Sequence, residues 1–227
     1  MRAGRRLLVV GRGRMGKLVE SLSGEYGLEL AGTIDRGAAS SPDRWPDADV
    51  AIDFSTAEAV VENVPRLAAR GLDIVIGTTG WQGEERAMRE AAAPYGVGIV
   101  AAPNFALGVN VFLAIAERAA EIVSGHDDFA TWIHEAHHAA KRDAPSGTAL
   151  ALERALRQGG LAGAVPITST RAGFIPGTHT VGFDAPAESI TITHEARDRS
   201  AFARGALEAA RWVQGKRGWF SMRDVIG

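Results

Sequence analysis

Leu7-Leu8-Val9-Val10-Gly11-Arg12-Gly13-Arg14-Met15-Gly16 is the stretch from which the fold of this chain can be read. Four consecutive apolar residues bounded by glycine suit a buried parallel strand. The glycines follow at once as G-x-G-x-x-G, and Lys17 to Ser23 can continue as a helix. In a strand, tight turn and helix, such glycines let the backbone approach a pyrophosphate while the helix start supplies N–H donors.

Working outward, Leu28–Ile34 reads as a second strand that ends in Asp35-Arg36. An acid at this distance from the glycines is placed for ribose hydroxyls, and a guanidinium beside it for a 2′-phosphate. An ordinary surface loop is the competing reading. Ala38–Asp49, with its prolines, serines and aspartates, is expected to be a loop. Val50–Phe54 is a third strand, and Ser55-Thr56 caps a helix over Ala57–Ala69. Asp73–Ile76 is a fourth strand, running into Gly77-Thr78-Thr79-Gly80; small residues at a strand's carboxyl end line the ligand crevice of open α/β sheets. A helix over Gln82–Ala93 leads to a fifth strand, Val97–Val100, and then to Ala102-Pro103-Asn104-Phe105. Strands alternating with helices over about 100 residues predict a right-handed parallel sheet, a Rossmann-like nucleotide domain.

After a helix over Phe112–Ile122 the rhythm changes. Phe129–His137, Val165–Thr170, His179–Phe183 and Ser189–His194 read as strands, with one helix from Ser146 to about Leu156. Successive β-runs predict a smaller α+β domain with a mixed sheet. Residues 1–105 then form the dinucleotide domain and 106–198 the substrate and oligomerisation domain; Trp219–Gly227 reads as a short tail.

A formal net charge of −2 makes no electrostatic case for nucleic acid. Absence of cysteine excludes a disulfide framework and thiolate-held zinc. The apolar run after Arg5-Arg6 is too short for a signal peptide, and no stretch of about 18 apolar residues would span a membrane. A cytoplasmic protein is the expectation.

Glu135-Ala136-His137-His138-Ala139-Ala140-Lys141-Arg142-Asp143-Ala144-Pro145-Ser146-Gly147-Thr148-Ala149 concentrates the chemistry. Histidine exchanges a proton near neutral pH, lysine holds or protonates an anion, and a helix opening at Ser146-Gly147-Thr148 offers free N–H groups to a carboxylate. Taken singly, an ordinary cap and a solvated histidine pair explain these residues at least as well. His134-Glu135-Ala136-His137-His138 is also literally H-E-x-x-H, the zinc-hydrolase signature, which requires a helix; the β-formers before it favour a strand instead.

The whole run, E-x-H-H-x-x-K-x-D-x-P-S-G-T-A, closely resembles the signature of the dihydrodipicolinate reductase family of lysine and diaminopimelate biosynthesis. G-R-M-G at Gly13–Gly16, Asp35-Arg36, G-T-T-G at Gly77–Gly80, A-P-N-F at Ala102–Phe105 and H-x-A-x-x-R-x-x-F-A at His194–Ala203 follow the same family in order. The glycine loop is one residue shorter than usual, and Ala106 stands where serine is usual. The resemblance implies reduction of 4-hydroxy-tetrahydrodipicolinate by NADH or NADPH, with no metal. It implies His137 as proton donor and Lys141 as assisting acid and anchor. His138, Ser146, Gly147, Thr148 and Arg199 would contact substrate. Gly11, Arg12, Gly13, Arg14, Met15, Asp35, Arg36, Gly77, Thr78, Thr79, Ala102, Pro103, Asn104 and Phe105 would hold the coenzyme. It further implies a C-terminal helix, within 199–227, packing back on the nucleotide domain, and a homotetramer. Another two-domain nicotinamide dehydrogenase, the zinc hydrolase and a coenzyme-sensing regulator are the alternatives.

Overall fold

The computed structural model describes residues 4–35 and 42–227, so Arg36 and the start of the 38–49 loop lie outside the described residues. In chain order the elements are β1 (Arg5–Val10), α1 (Arg14–Leu22), β2 (Leu28–Ile34), β3 (Val50–Asp53), α2 (Ala57–Ala69), β4 (Asp73–Ile76), α3 (Glu85–Ala92) and β5 (Gly98–Ala101). There follow α4 (Leu107–Val123), β6 (Ala130–His137), α5 (Gly147–Gln158), β7 (Ile167–Arg171), β8 (Thr178–Ala185), β9 (Glu188–Glu195), α6 (Ser200–Trp212), β10 (Gly218–Phe220) and α7 (Met222–Ile226). The chain divides into two compact units, residues up to Leu107 with Ser200–Gly227, and Gly108–Arg199.

The first unit is a parallel sheet in the order β10-β5-β4-β3-β1-β2. Alternation along β1 assigns its two faces. Leu7 and Val9 join a core with α1 and with Ala203, Ala206, Leu207 and Ala210 of α6, while Leu8 and Val10 join one with Val60, Val64 and Leu67 of α2. Thr56 caps α2, its hydroxyl accepting the Ala59 N–H at 3.3 Å. β1 neighbours both β2 and β3, so the chain crosses over in opposite directions on either side of it. That is the switch point at which such sheets open a crevice.

The expected tail at Trp219–Gly227 is corrected. Gly218–Phe220 adds a sixth strand beside β5, and α7 follows with a capping box at Ser221 and Asp224. A three-residue strand is too short to show any period, which is why the sequence did not announce it.

The second unit is a four-stranded mixed sheet in the order β7-β6-β8-β9, with β6–β7 parallel and the other pairs antiparallel. Helix α5 makes the crossover from β6 to β7. Ile133, Val181 and Phe183 are fully buried and pack with Phe112 and Ala116 of α4 and with Leu152 and Leu156 of α5. Opposite Trp132 the register places Gly182, where a Cβ would fall 2.2 Å from the indole, so the ring lies against bare backbone.

Candidate active site

In the first unit the expected coenzyme residues gather at the carboxyl ends of parallel strands. Gly11–Gly16 follows β1, Asp35 follows β2, Gly77–Thr79 follows β4 and Ala102–Phe105 follows β5. Gly11 has φ +92°, and a Cβ there would lie 2.5 Å from the Phe54 carbonyl oxygen. A Cβ on Gly16 would lie 2.0 Å from the Gly11 oxygen, so helix and loop meet at van der Waals limits. Gly13 is the N-cap of α1 and makes no side-chain cap, which leaves the helix start open to an anion. Arg12 and Arg14 are exposed, Met15 packs into the core behind the loop, and Asp35 is exposed directly after β2. Asn104 turns its chain by accepting the Ala106 N–H at 2.9 Å. Ala102 and Pro103 line a cavity of about 330 Å³ whose other walls include Trp81, Trp219 and Phe220.

Behind Gly77-Thr78 stands a residue the sequence did not single out. Asp53, at the end of β3, is fully buried and accepts from the Ser55 N–H (2.8 Å) and hydroxyl (2.6 Å), Asn63 Nδ2 (3.1 Å) and the Thr78 hydroxyl (3.2 Å). Burial pushes its carboxyl pKa up, opposed by those same bonds. It fixes the turns after β3 and β4 to α2. Its signal, one aspartate after an apolar strand, is too common to read.

The second unit holds the residues expected to carry the acid–base chemistry. Ile133, Glu135 and His137 alternate onto the buried face of β6. The sheet register sets Ser169 and His179 on either side of Glu135, and Arg171 beside His137. Glu135 Oε1 accepts from the Ser146 N–H (3.0 Å), the Ser169 hydroxyl (2.7 Å) and Arg171 Nη2 (2.7 Å). Its Oε2 lies 3.1 Å from His137 Nδ1 and 3.7 Å from His179 Nε2. Burial alone would raise this carboxyl, but hydrogen bonds from Ser146, Arg171 and Ser169 outweigh it and hold its pKa at about 2. His137 is shifted down by burial, with the Glu135 carboxylate opposing. His179, lowered by burial and by His137, titrates near 4, and its Nε2 meets the Ser146 hydroxyl at 3.0 Å.

β6 ends at His137, and the loop to α5 carries the rest. His138 is half-buried just past the strand, and its carbonyl accepts the Lys141 N–H at 3.1 Å. Lys141 Nζ reaches both oxygens of Asp143, at 2.8 and 2.9 Å. Arg171 also donates to the Asp143 carbonyl at 2.6 Å, tying this loop to β7. Ser146 is the N-cap of α5, its hydroxyl accepting the Ala149 N–H at 3.2 Å. The N–H groups of Gly147 and Thr148, with open space around the Gly147 Cα, remain as the uncapped donors of that helix start. Arg199 is exposed immediately before α6, apart from the Glu135 network.

The zinc-hydrolase reading fails on conformation. His134 to His137 is strand, His134 turns away to bond Thr168 at 2.9 Å, and an extended run sets residues four apart roughly 13 Å from one another. Glu135, His137 and His179 do bring donor atoms within 4.8 Å, a set chemically able to take a metal ion. Arg171 already neutralises that carboxylate from 2.7 Å, so an added dication would meet a fixed positive charge.

Two family models cover nearly the whole chain: dihydrodipicolinate reductase, N-terminus, over residues 5–105, and dihydrodipicolinate reductase, C-terminus, over 108–226. The chain belongs to the dihydrodipicolinate reductase family. It is 35% identical over 231 residues to the 4-hydroxy-tetrahydrodipicolinate reductase of Christiangramia forsetii, covering 97% of each chain. With that of Magnetococcus marinus it shares 40% identity over 222 residues, covering 88% of this chain and 82% of the relative. A solved dihydrodipicolinate reductase from Paenisporosarcina sp. TG-14, with dipicolinate bound, superposes with a TM-score of 0.81 over 96% of this chain and 97% of its own, at 23% identity. An amine dehydrogenase from Mycobacterium smegmatis shares the fold at a TM-score of 0.60 and 11% identity. Membership makes the protein an oxidoreductase of lysine and diaminopimelate biosynthesis that uses a nicotinamide coenzyme, and the glycine cradle of the first unit fits such a coenzyme. Among the described residues no helix is long and apolar enough to cross a membrane.

Glu135 is the first letter of the reductase family signature, and Arg171 and His179 echo the family's R-x-G and G-x-H-x-V-x-F runs, although alternation alone explains them as well. Their shared role comes from the sheet register, which joins positions 36 and 44 residues away from Glu135.

Proposed function

We propose that this chain reduces 4-hydroxy-tetrahydrodipicolinate to tetrahydrodipicolinate, that it accepts both NADH and NADPH, and that His137 is its proton donor. The observation that carries the proton assignment is a buried imidazole beside a buried carboxylate, joined by a nine-residue loop to a helix start that leaves the Gly147 and Thr148 N–H groups open. Gly11, Gly13, Gly77, Thr78 and the Ala102–Phe105 turn would hold the coenzyme, which supplies the hydride when bound. One substrate carboxylate takes the Gly147 and Thr148 N–H groups, where the helix dipole adds to two direct donors. Lys141 leaves Asp143 to meet the substrate's anionic charge, and the His137 ring delivers a proton from Nε2 to the substrate. His138 lines the same loop. Burial of His137 makes its imidazolium a stronger acid than a solvated one.

The test follows coenzyme absorbance with enzymatically generated substrate, with and without EDTA. Oxidation that needs substrate and ignores EDTA is expected; activity lost to EDTA and restored by zinc overturns the metal-free assignment. Dual coenzyme use rests on Asp35 with Arg36: Arg36→Ala should weaken NADPH by about 1–3 kcal/mol and leave NADH nearly unchanged. Equal losses for both would remove Arg36 from phosphate recognition. β9 forms one edge of its sheet, with Ile190 46% exposed, and supports a homotetramer built on this sheet. A monomer mass by light scattering at micromolar concentration would refute that assembly. A cytoplasmic location accompanies this reading.

A further inference from the structure

We propose that Glu135 is a positioning residue for proton transfer: it holds His137 with Nδ1 protonated, so that Nε2 is the atom presented to the substrate. The proposal rests on the reading of His137 as proton donor and adds what sets its tautomer and supports its charge. Glu135 is fully buried, and its two oxygens divide their work. Oε1 is filled by Ser146, Ser169 and Arg171, which lock the carboxylate against rotation. Oε2 has no aligned hydrogen-bond donor and lies 3.1 Å from Nδ1, an ion-pair contact. Contacts of this kind commonly tighten only when ligand is bound. An acceptor fixed at Nδ1 leaves Nε2 as the working nitrogen, as carboxylates behind other working histidines do.

Every charged or titratable group facing His137 enters this balance. Glu135 lies on its own strand, Arg171 on β7 and His179 on β8, with Lys141 and Asp143 on the loop before α5 and His194 on β9 acting through His179. Arg171 and Lys141 oppose a charged His137, and Glu135 is the strongest of the anions supporting it. His179 stays neutral at working pH and adds no competing charge.

Glu135→Gln keeps the acceptor at Oε1 but replaces the anion beside Nδ1 with an amide that can donate to it. The expected result is a kcat at pH 8 lowered at least about tenfold, with coenzyme KM unchanged. The alkaline limb of the kcat/KM profile should move to lower pH, because the imidazolium loses its main support. Glu135→Asp, which keeps the charge, should return that limb toward wild type. A folded Glu135→Gln variant with an unmoved limb and near-wild-type turnover overturns the proposal. Should that variant fail to fold, ¹⁵N spectra of His137 in the wild-type protein with NADH and dipicolinate, assigned through His137→Gln, decide the matter. Nδ1 protonated above the limb is expected; Nε2 protonated there overturns the idea. If His137→Gln itself turns over normally, the proton-donor reading has failed, whatever tautomer is found.

Discussion

His137 and Lys141 have different roles in the proposed reaction, and their substitution should separate them. On the proposed assignment His137→Ala removes a positioned proton donor, which typically costs ~10² to 10⁴ in rate, so kcat should fall with coenzyme binding intact. Lys141→Ala should lower kcat and also raise the substrate KM, because the proposal gives this lysine both a charge and a proton role. Wild-type steady-state kinetics in both variants would remove the pair from the mechanism. The same cluster sets an acid limit on stability. Glu135 has its folded pKa depressed to about 2, so its contribution is complete above the ordinary carboxylate range and is lost as pH falls toward 2. That loss is on the order of 3 kcal/mol. His179, depressed to about 4, must stay neutral, and it begins to destabilise the fold as pH drops below its unfolded value near 6.5. Urea midpoints should therefore fall steadily from pH 7 to pH 3; a flat profile over that range contradicts the assigned shifts. At this scale the histidines, the lysine and the helix cap were legible because they are neighbours in sequence. The buried partners were not, because a sheet register creates them.

Among the elements, α6 is fixed by one close approach. A Cβ added at Gly205 would lie 1.6 Å from the Phe105 carbonyl oxygen, with no flexible side-chain end to yield. Gly205→Ala must push the helix or the Asn104–Phe105 turn aside. Overpacking of this kind costs typically 1–3 kcal/mol. A lower Tm and a raised coenzyme KM are expected together; an unchanged Tm would mean the turn gives way freely. Such a contact is invisible in sequence, where Arg204-Gly205-Ala206 reads as an unremarkable helix interior. By contrast α2 was legible to its first and last residue, since Thr56 supplies a cap and the apolar rows repeat every three or four positions. α4 begins at Leu107, five residues before its amphipathic pattern becomes clear at Phe112, because its first turn carries Gly108 and Asn110, both poor helix formers.

For the molecule as a whole, the first unit is closed only by residues from the far end of the chain. α6 delivers Ala203, Ala206, Leu207 and Ala210 to the core beside Leu7 and Val9, and Val213 follows them, all fully buried. Each fully buried leucine or valine is worth ~1.5–3 kcal/mol, comparable with a substantial part of a small domain's net stability. A fragment ending at Leu107 should therefore lack a cooperative thermal transition, although it contains every glycine of the coenzyme cradle. A sharp transition by circular dichroism would show the closing helix to be dispensable.

Trp132 gives the two units separate optical signatures. Of the five tryptophans, at 45, 81, 132, 212 and 219, it alone falls within Gly108–Arg199. Its indole rests on the backbone of Gly182, three positions before Glu135 on the same strand. Emission lost on Trp132→Phe belongs to the second unit, and what remains reports the first. Recorded through a denaturant titration, the difference spectrum would tell whether the coenzyme cradle and the Glu135–His137–His179 cluster melt as one body or in turn.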